Sequence, residues 1–483
     1  MARKRSRSMR AHILNPDQIR RIDEASLEML QRFGVEIPHA AMQSAFHEAG
    51  ARVDRERQRV FIPPELVARC LSRAGKRYTL RGRDPSRTAA FGQGRRNYNA
   101  IAGEASWLDA VGARRRFPSL ADVATAARLC DALPNLQIAG AMADPHEIPV
   151  SVRCVEVAAT MIRNTVKPIA FWFHDRASAR FVNELLIALR GDEERAARFP
   201  LCQPFLEPIS PLRFPHHGID LLYETARLNL PVPIGPMAQM GLSAPMSIAG
   251  TLAQEHAEIL AGVCVTQLIR PGMPVCYGGI CHAFDMRTTQ MIFAGPEQAI
   301  FGVAMTQMGK HYGLPVYINV GLTDSKRPDA QAGLEAGVTL AFGAAAGADI
   351  FGHMGIGGVD QAASLDMLVL QDEVIGYVES TLRAIDFSDE ALGLNALRDV
   401  VAGAQFVDHE HTLERFRREL WFPKVLDRNF YEAWRSAGAT SAEERCRQRK
   451  EALLADYRPE PLSPELDREL DRIVESARRH LAH

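Results

Sequence analysis

The sequence predicts an α/β protein built on a (β/α)8 TIM barrel, with an N-terminal α+β cap and a C-terminal helical extension. Short apolar runs, each as long as a buried strand, recur along the chain and are followed by amphipathic helical patterns. The runs begin roughly 30–42 residues apart, a spacing that suits one strand and one helix per repeat. No run is followed by a G-x-G-x-x-G turn, which argues against an open dinucleotide-binding sheet.

The cap is expected over residues 15–96. Its first helix begins at Asn15-Pro16, because asparagine is a good N-cap and proline suits the first helical turn, and it runs to about Gly34. A second helix is predicted near 39–49. The stretch RVFIPPELVARCLSRAG (59–75) indicates a strand followed by a proline-initiated helix.

The barrel is expected over residues 97–385. Near its start, a hairpin is predicted with its turn near Val111-Gly112. The tail, 386–483, is helical and charged and forms the C-terminal extension. Eight apolar runs are the candidate barrel strands, and the first is the weakest: 97–103, 135–143, 167–173, 201–208, 232–240, 274–284, 315–322 and 348–356.

Composition excludes several classes of protein. A net charge of −1 gives no strong attraction to nucleic acid or membrane, and the basic start, 1–14, is interpreted as a disordered tail. No uncharged apolar run is long enough to span a membrane. Eight scattered cysteines indicate a reducing, cytoplasmic setting. Cys276, Cys281 and His282 cluster without the spacing of a zinc site, so no metal is predicted.

Site residues are expected at the ends of the predicted strands, because the active site of such a barrel lies at the carboxyl ends. Aromatic and polar side chains dominate there. The candidate substrate-binding residues are Tyr98, Phe171, Phe173, Glu207, Gln239, Tyr277 and His353. The candidate catalytic residues are Asp324, Lys326 and Arg327, which follow the apolar run 315–322 in the stretch GLTDSKRPDAQAG.

Each of these residues also has a purely structural interpretation. The aromatics can be core residues, Glu207 can cap a loop, and a single histidine at a strand end is most often hydrogen-bonded within the fold. Lys326 as a Schiff-base nucleophile needs a desolvated amine, but its charged neighbours indicate a wet setting. No H-E-x-x-H or G-x-S-x-G motif occurs. The reactive centre is therefore expected to come from a cofactor or partner.

Five stretches, in order along the chain, resemble the trimethylamine:corrinoid methyltransferase family. Together they lie within residues 15–460, and the family fold is a (β/α)8 barrel, in agreement with the strand count. The stretches are PSLADVATAARLCDALPNLQ (118–137), APMSIAGTLAQEHAEILAGVCVTQLIRPGMPVCYGG (244–279), GLTDSKRPDAQAGLEAG (321–337), LVLQDEVIGYV (368–378) and DHEHTLERFRREL (408–420).

The resemblance implies a particular chemistry. Family members bind a methylated amine in the barrel, and a separate corrinoid-binding protein docks on the barrel mouth, where its Co(I) takes the methyl group. The corrinoid is carried by the partner, and none is permanently bound. On this basis Lys326 and Arg327 would face a substrate carboxylate or the corrinoid, Asp324 the ammonium group, and His353 a betaine carboxylate. Tyr98, Phe171, Phe173 and Tyr277 would form a cage around N-methyl groups.

One departure from the family pattern bears on the substrate. Archaeal trimethylamine enzymes of the family use pyrrolysine in a segment that we align with Asp324–Arg327, and this chain has ordinary residues there. Members without pyrrolysine resemble demethylases of quaternary amines such as glycine betaine, whose leaving group is already a neutral amine. The alternatives are a lyase or aldolase using Lys326, and a non-catalytic betaine-binding protein. A homo-oligomer is also expected.

Overall fold

The computed structural model describes residues 9–110 and 114–481. The cap begins with a helix fixed by its first residues, because Asn15 and Gln18 form a reciprocal capping box ahead of Pro16. The predicted helices and the strand–helix unit of this region are present. The cap elements are α1 (Pro16–Arg32), β1 (Val35–Glu36), α2 (Ala40–Glu48), β2 (Arg52–Asp54), β3 (Arg59–Phe61), α3 (Pro64–Arg73), β4 (Tyr78–Arg81) and β5 (Thr88–Phe91).

Part of the predicted N-terminal tail is held against the fold. The Ala11 N–H donates to the Ala345 carbonyl (3.1 Å), and the N–H groups of Ile13 and Leu14 donate to the Gln307 side chain (2.8 and 2.9 Å). The prediction of a disordered tail over 1–14 is therefore wrong for this portion. Residues 1–8 lie outside the described residues.

The centre of the fold is a curled parallel sheet of five strands. In spatial order these are β10 (Val232–Ile234), β12 (Val275–Gly279), β15 (Val316–Ile318), β16 (Ile350–Met354) and β6 (Asn97–Ala100). All four neighbouring pairs are parallel. This sheet forms about half the wall of a barrel, and it confirms the α/β class.

The other predicted strands are shorter and less regular. Of these, β8 (Ala139–Gly140) and β9 (Ile169–Ala170) pair as a separate two-stranded parallel unit. The run 201–208 forms no strand, contrary to prediction, and joins its neighbours through single contacts such as the Leu206–Ile234 bridge. Its two prolines explain this, because each lacks the N–H that a ladder needs.

Small strands extend the structure beyond the carboxyl ends of the parallel sheet. Trp107 and Arg116 exchange two antiparallel backbone hydrogen bonds (2.9 and 3.1 Å), as the predicted hairpin requires. Its turn, 111–113, lies outside the described residues. The strands are β7 (Trp107–Leu108), β11 (Gln239–Met240), β13 (His282–Asp285), β14 (Gln290–Ile292), β17 (Ile356–Gly357) and β18 (Ala362–Ser364).

Helices cover the outer face of the parallel strands. They are α4 (Leu120–Ala132), α5 (Val150–Asn164), α6 (Arg176–Arg190), α7 (Glu193–Arg198), α8 (His216–Thr225), a 3₁₀ turn (Ala226–Leu228), α9 (Ile248–Ile269), α10 (Pro296–His311), α11 (Ala330–Ala346) and α12 (Leu365–Thr381). The C-terminal part is helical, as predicted. It comprises α13 (Asp389–Leu392), α14 (Leu394–Val401), α15 (Glu410–Glu419), α16 (Tyr431–Ser436), α17 (Ala442–Asp456) and α18 (Pro464–Leu481).

The C-terminal helices contact the helical layer. Helix α17 packs on α4 and α12, and α18 packs on α5 and α6. The buried carboxylate of Glu373 on α12 accepts hydrogen bonds from the backbone N–H groups of Lys424, Val425 and Leu426. These contacts bind the extension to the central unit.

The buried residues form two cores. The larger core lies between strands and helices, whereas a smaller one lies inside the curled sheet and includes Ile138, Cys276, Tyr317 and Ile350. The β4–β5 hairpin closes the amino end of this inner core with Tyr78, Leu80, Ala89 and Phe91. The hairpin therefore covers the end of the interior opposite the carboxyl ends of the strands.

Within the described ranges, no helix combines the length and apolar character needed to cross a membrane. The same part of the chain contains no group of three or more His, Cys, Asp or Glu residues placed to hold a metal ion. All eight cysteines are buried free thiols.

Candidate functional site

A cavity of about 600 Å³ opens at the carboxyl ends of the strands. It lies beyond the carboxyl ends of β9, the 201–208 run and β10, where these segments continue into loops. Its lining is mainly aromatic and apolar, with a few polar groups, which is typical of a small-molecule site. The lining includes Trp172, Phe173, Phe205, Glu207 and Gln239.

Aromatic rings surround His353 beneath this cavity. The Trp172 ring centroid lies 6.3 Å from that of Phe205 and 6.3 Å from the imidazole of His353. Tyr317 lies 5.6 Å from Phe205 and 5.7 Å from His353. The Trp172 indole N–H donates to the Gly103 carbonyl (2.9 Å), which fixes the ring. Trp172, Phe205 and Tyr317, called the aromatic box below, offer ring faces suited to a methylated cation.

Three carboxyl groups meet beside the aromatic box. Burial, and then the charge of Asp360, raises the pKa of Glu104 to about 9. The same two causes raise the pKa of Glu207 to about 7, and burial also raises the pKa of Asp360. We call Glu104, Glu207 and Asp360 the carboxyl trio. Like charges this close cannot all ionise without cost, so the trio retains protons near neutral pH.

The segment that carries Asp360 is strained. His353, Val359 and Asp360 have φ angles of 73°, 62° and 56°, in the left-handed region, where a β-branched valine is a rare outlier. Strain of this kind concentrates at functional sites, where the surrounding structure holds it in place. The surrounding structure therefore holds His353 and Asp360 next to the cavity in strained backbone conformations.

His353 is a neutral side chain at neutral pH. It is 7% exposed, and burial lowers its pKa to about 4. A neutral imidazole can donate one hydrogen bond and accept another. It cannot act as a permanent positive charge.

Three buried polar atoms near the inner end of the site have no hydrogen-bond partner among the residues described. They are the Oδ1 atoms of Asn99 and Asn319 and the Nδ1 atom of His282. The Asn319 Nδ2 lies 3.4 Å from the His282 Nε2, so two of the three belong to one cluster. Buried polar atoms rarely stay unpaired, so a bound molecule or water is expected to contact them.

The structure brings some predicted substrate-binding residues together. Phe173, Glu207 and Gln239 line the cavity, and His353 contacts the aromatic box. Phe171 stacks on Phe173 with centroids 4.8 Å apart, but its own side chain is 4% exposed and packs in the outer core.

Tyr98 and Tyr277 lie outside the site. The Tyr98 hydroxyl donates to Glu379 of α12 (2.5 Å), and the Tyr277 hydroxyl pairs with His256 of α9 (2.8 Å). Both therefore point from their strands toward the surrounding helices. Successive strand residues face opposite sides, so the inward positions belong to neighbours such as Cys276. The structure does not assemble the predicted four-residue cage.

The three predicted catalytic residues lie in the loop after β15, and none of them is among the residues that line the main cavity. Lys326 adjoins Gly358, in the segment that carries Asp360. Asp324 accepts a hydrogen bond from the Phe293 N–H (2.9 Å), and Lys326 donates to the Asp324 carbonyl (2.8 Å). Arg327 forms an ion pair with Glu443 of α17 at 2.7 Å. Lys326 and Arg327 line a different cavity, of about 490 Å³.

Several residues of the site do not appear among the sequence-based candidates: Trp172, Phe205, Tyr317, Glu104 and Asp360. Alternation along the strand puts Trp172 on the same side as Ala170, which packs against the inner core, but an all-apolar run does not show which side faces inward. Glu104 and Asp360 come from loops that are far apart in sequence, and no local pattern signals their encounter.

A curled parallel sheet with a small-molecule cavity at its carboxyl ends defines an α/β protein of the enzyme type. The chain belongs to the trimethylamine methyltransferase (MTTB) family, whose profile matches residues 2–482. The predicted family membership, and with it the class of methyltransferase, is confirmed.

Relatives span nearly the whole chain. A glycine betaine methyltransferase of Desulfitobacterium hafniense strain Y51 is 29% identical over 465 residues, which cover 96% of each chain. A trimethylamine methyltransferase MttB of D. hafniense strain DSM 10664 / DCB-2 is 28% identical over 95% of this chain and 92% of its own. A trimethylamine methyltransferase MttB of Methanosarcina barkeri strain Fusaro is 27% identical over 96% of this chain and 95% of its own.

One solved structure has the same fold. The crystal structure of the hydroxylamine MtmB complex matches with a TM-score of 0.50 and 11% identity, covering 98% of this chain and 95% of that one. At this identity the likeness concerns the fold alone.

Proposed function

We propose that this protein transfers a methyl group from a quaternary or other methylated amine to the Co(I) of a corrinoid carried by a separate protein. The observation that carries the proposal is the aromatic box beside the carboxyl trio, at the open mouth of a chain that belongs to a methyltransferase family. The corrinoid supplies the cobalt nucleophile that accepts the methyl group.

The side chains of this protein bind and orient the donor. Ring faces of Trp172, Phe205 and Tyr317 attract N-methyl groups, each contact contributing about 0.5–2 kcal/mol. The Glu207 carboxylate balances the positive charge of the amine. Glu207, Gln239 and Phe173 remain our substrate-binding candidates, and His353 orients Trp172 and Tyr317 or donates to the substrate tail. Holding the methyl carbon toward solvent at the mouth is the main catalytic task.

The rim of the cavity fits a docked protein. Exposed apolar side chains lie at the cavity and beside it. Ile209 (40% exposed) and Leu242 (60%) line the cavity, and Met246 (64%) and Met286 (59%) lie next to Gly241, which precedes Leu242. Scattered apolar residues are common on surfaces, but a cluster beside a binding site indicates an interface.

Charge substitution on this rim should weaken transfer to a protein-bound corrinoid. We expect Met246→Asp with Met286→Asp to lower that rate at least about tenfold, because charges would be desolvated in the interface. The rate with free cob(I)alamin should not change. Leu394→Asp, on α14 of the extension and 66% exposed, is the matched control. An equal loss with both acceptors would assign the rim to substrate binding or folding instead.

The reaction itself is tested with purified protein, free cob(I)alamin and a panel of methylated amines. Methylation of cobalt changes its visible absorbance, and mass spectrometry identifies the demethylated amine. We expect turnover of at least one quaternary amine and none of trimethylamine, because a quaternary donor releases a neutral amine without prior protonation. Turnover of trimethylamine alone would contradict the proposal.

The same assay separates the other functions. A lyase or aldolase using Lys326 would form an imine that borohydride traps, and Lys326→Ala would abolish the trapping. Lys326 is exposed and lies outside the main cavity, which does not favour that function. A non-catalytic protein would bind the amine and never methylate cobalt.

We further propose that the eight apolar runs act as one closed barrel of residues 97–385, flanked by the cap 15–96 and the extension 386–483. Asp324, Lys326 and Arg327 are then a loop near the docked corrinoid protein rather than groups that touch the donor. A cytoplasmic location and a homo-oligomer complete the proposal. Helix α11 offers an apolar face for a second copy through Leu334, Val338 and Phe342, which are 66%, 44% and 52% exposed.

A further inference from the structure

Among the described residues, the cavity has carboxyl groups beside it but no lysine or arginine in its lining. Glu207 lies in its wall, and Glu104 and Asp360 stand behind it, close enough for Asp360 to raise the pKa of both glutamates. No lysine or arginine lines the cavity in the part of the chain that the structure describes. A site with this charge favours a cation.

The basic side chains of the neighbouring loops are engaged elsewhere. Arg153 forms a 2.6 Å ion pair with Asp144. Arg327 is paired with Glu443, and Lys326 lies with it in the separate 490 Å³ cavity. None of these three side chains is among those that line the main cavity.

A zwitterionic betaine would need a partner for its carboxylate. Burying a carboxylate without donors is costly, and here it would also lie near the carboxyl trio. His353 could donate a single hydrogen bond, but its imidazole is neutral because burial lowers its pKa to about 4. By contrast, a quaternary ammonium without a carboxylate satisfies the ring faces and the trio together.

We propose that the preferred methyl donor is a net cation, a quaternary ammonium compound without an internal carboxylate, rather than a zwitterionic betaine. This inference rests on the proposed function, since it names the substrate class of the same cavity. It rests on geometry: a ring-lined cavity, a carboxyl group in its wall and, among the described residues, no lysine or arginine in its lining.

The proposal has a consequence for pH dependence. Burial and Asp360 raise the pKa of Glu207 to about 7 and that of Glu104 to about 9. A bound cation favours the ionised carboxylates and releases protons, so cation affinity should rise with pH through this range, by up to about tenfold per pH unit for one proton released. His174 and His217 at the cavity wall and His353 below it also face the site.

A zwitterion would show the opposite sign. Protonated carboxyls are hydrogen-bond donors, so a betaine carboxylate held by the trio or by His353 would bind more weakly as pH rises. The direction of the pH effect therefore separates the two substrate classes independently of absolute affinity.

The test is calorimetric titration of the full chain with tetramethylammonium and with glycine betaine at pH 6, 7 and 8. We expect tetramethylammonium to bind at pH 8 with a dissociation constant at least about tenfold lower than that of glycine betaine. Its affinity should rise with pH. Repeating the titration in buffers of different ionisation enthalpy counts the protons released.

Glu207→Gln should weaken tetramethylammonium binding and flatten its pH dependence without weakening betaine. Asp285→Asn, which changes a surface carboxylate already paired with Arg287, is the control and should change neither. Tighter binding of betaine, with a selective loss in His353→Ala, would overturn the inference and restore His353 as the carboxylate donor. Failure of both ligands to bind would also overturn it.

No corrinoid is present in these titrations, so they do not depend on methyl transfer. Tight cation binding without methylation of cob(I)alamin would retain the substrate class and reject the proposed function. Rapid demethylation of betaine together with weak cation binding would retain the proposed function and reject the substrate class.

Discussion

Trp172→Ala should lower kcat/KM for a quaternary amine by about 10–100-fold, equal to about 1.4–2.8 kcal/mol, because a desolvated cation–π contact is lost together with its support of His353. Most of the loss should appear in KM. The positive charge on nitrogen decreases as the methyl group leaves, so the ring stabilises the bound donor more than the transition state. Steady-state kinetics over a range of amine concentrations measures both parameters.

Trp172→Phe keeps a ring face and should recover part of the loss. The matched control is Tyr98→Phe, which removes a hydroxyl that hydrogen-bonds to Glu379 on the outer side of the strand and leaves the cavity unchanged. Its KM should equal that of the unmodified protein. A Trp172→Ala enzyme with unchanged KM, or equal losses in both variants, would remove the aromatic box from substrate binding.

The two tyrosines illustrate what the sequence can predict. Apolar runs locate the strands well, since β6, β10, β12, β15 and β16 fall within predicted runs. The direction of each side chain depends on the parity of alternation, which an all-apolar buried strand does not reveal. Tyr98 and Tyr277 were expected to face the interior and instead point toward the helices, whereas Trp172 faces the site.

The polar residues of the site can be predicted from the sequence only in part, for a different reason. Glu207 and Gln239 lie near the ends of the predicted runs 201–208 and 232–240, so the position of these runs places them at the mouth. Asp360 lies in a strained turn between β17 and β18, and Glu104 in a loop after β6. Their contact depends on the pairing of β6 with β16 in the sheet. The segment Asp324–Arg327 is as rich in charged residues as a catalytic site, but Lys326 and Arg327 line another cavity. The Asp324 carboxylate instead accepts a hydrogen bond from the Phe293 backbone.

Asp349→Ala should have the largest effect on stability. Asp349 is 1% exposed and directly precedes β16. One carboxylate oxygen accepts from the Gly92 N–H at 2.8 Å, and the other accepts from the Val316 N–H at 2.9 Å and pairs with Lys310. The side chain thus joins the hairpin that closes the amino end of the interior to β15 and α10.

Removing it leaves two backbone donors and an ammonium group without their partner. Two buried backbone donors left without an acceptor cost about 1–3 kcal/mol each, whereas Asp349→Asn keeps an acceptor and should cost less. Urea unfolding followed by circular dichroism should show a lower midpoint with an unchanged slope. Asp285→Ala, which removes the partner of the exposed Arg287, should lower the midpoint much less. Because Asp349 lies at the end of the sheet opposite the cavity, the KM for the amine should not change while the variant is folded. A raised KM with normal stability would mean that the closing hairpin shapes the cavity rather than supporting the sheet.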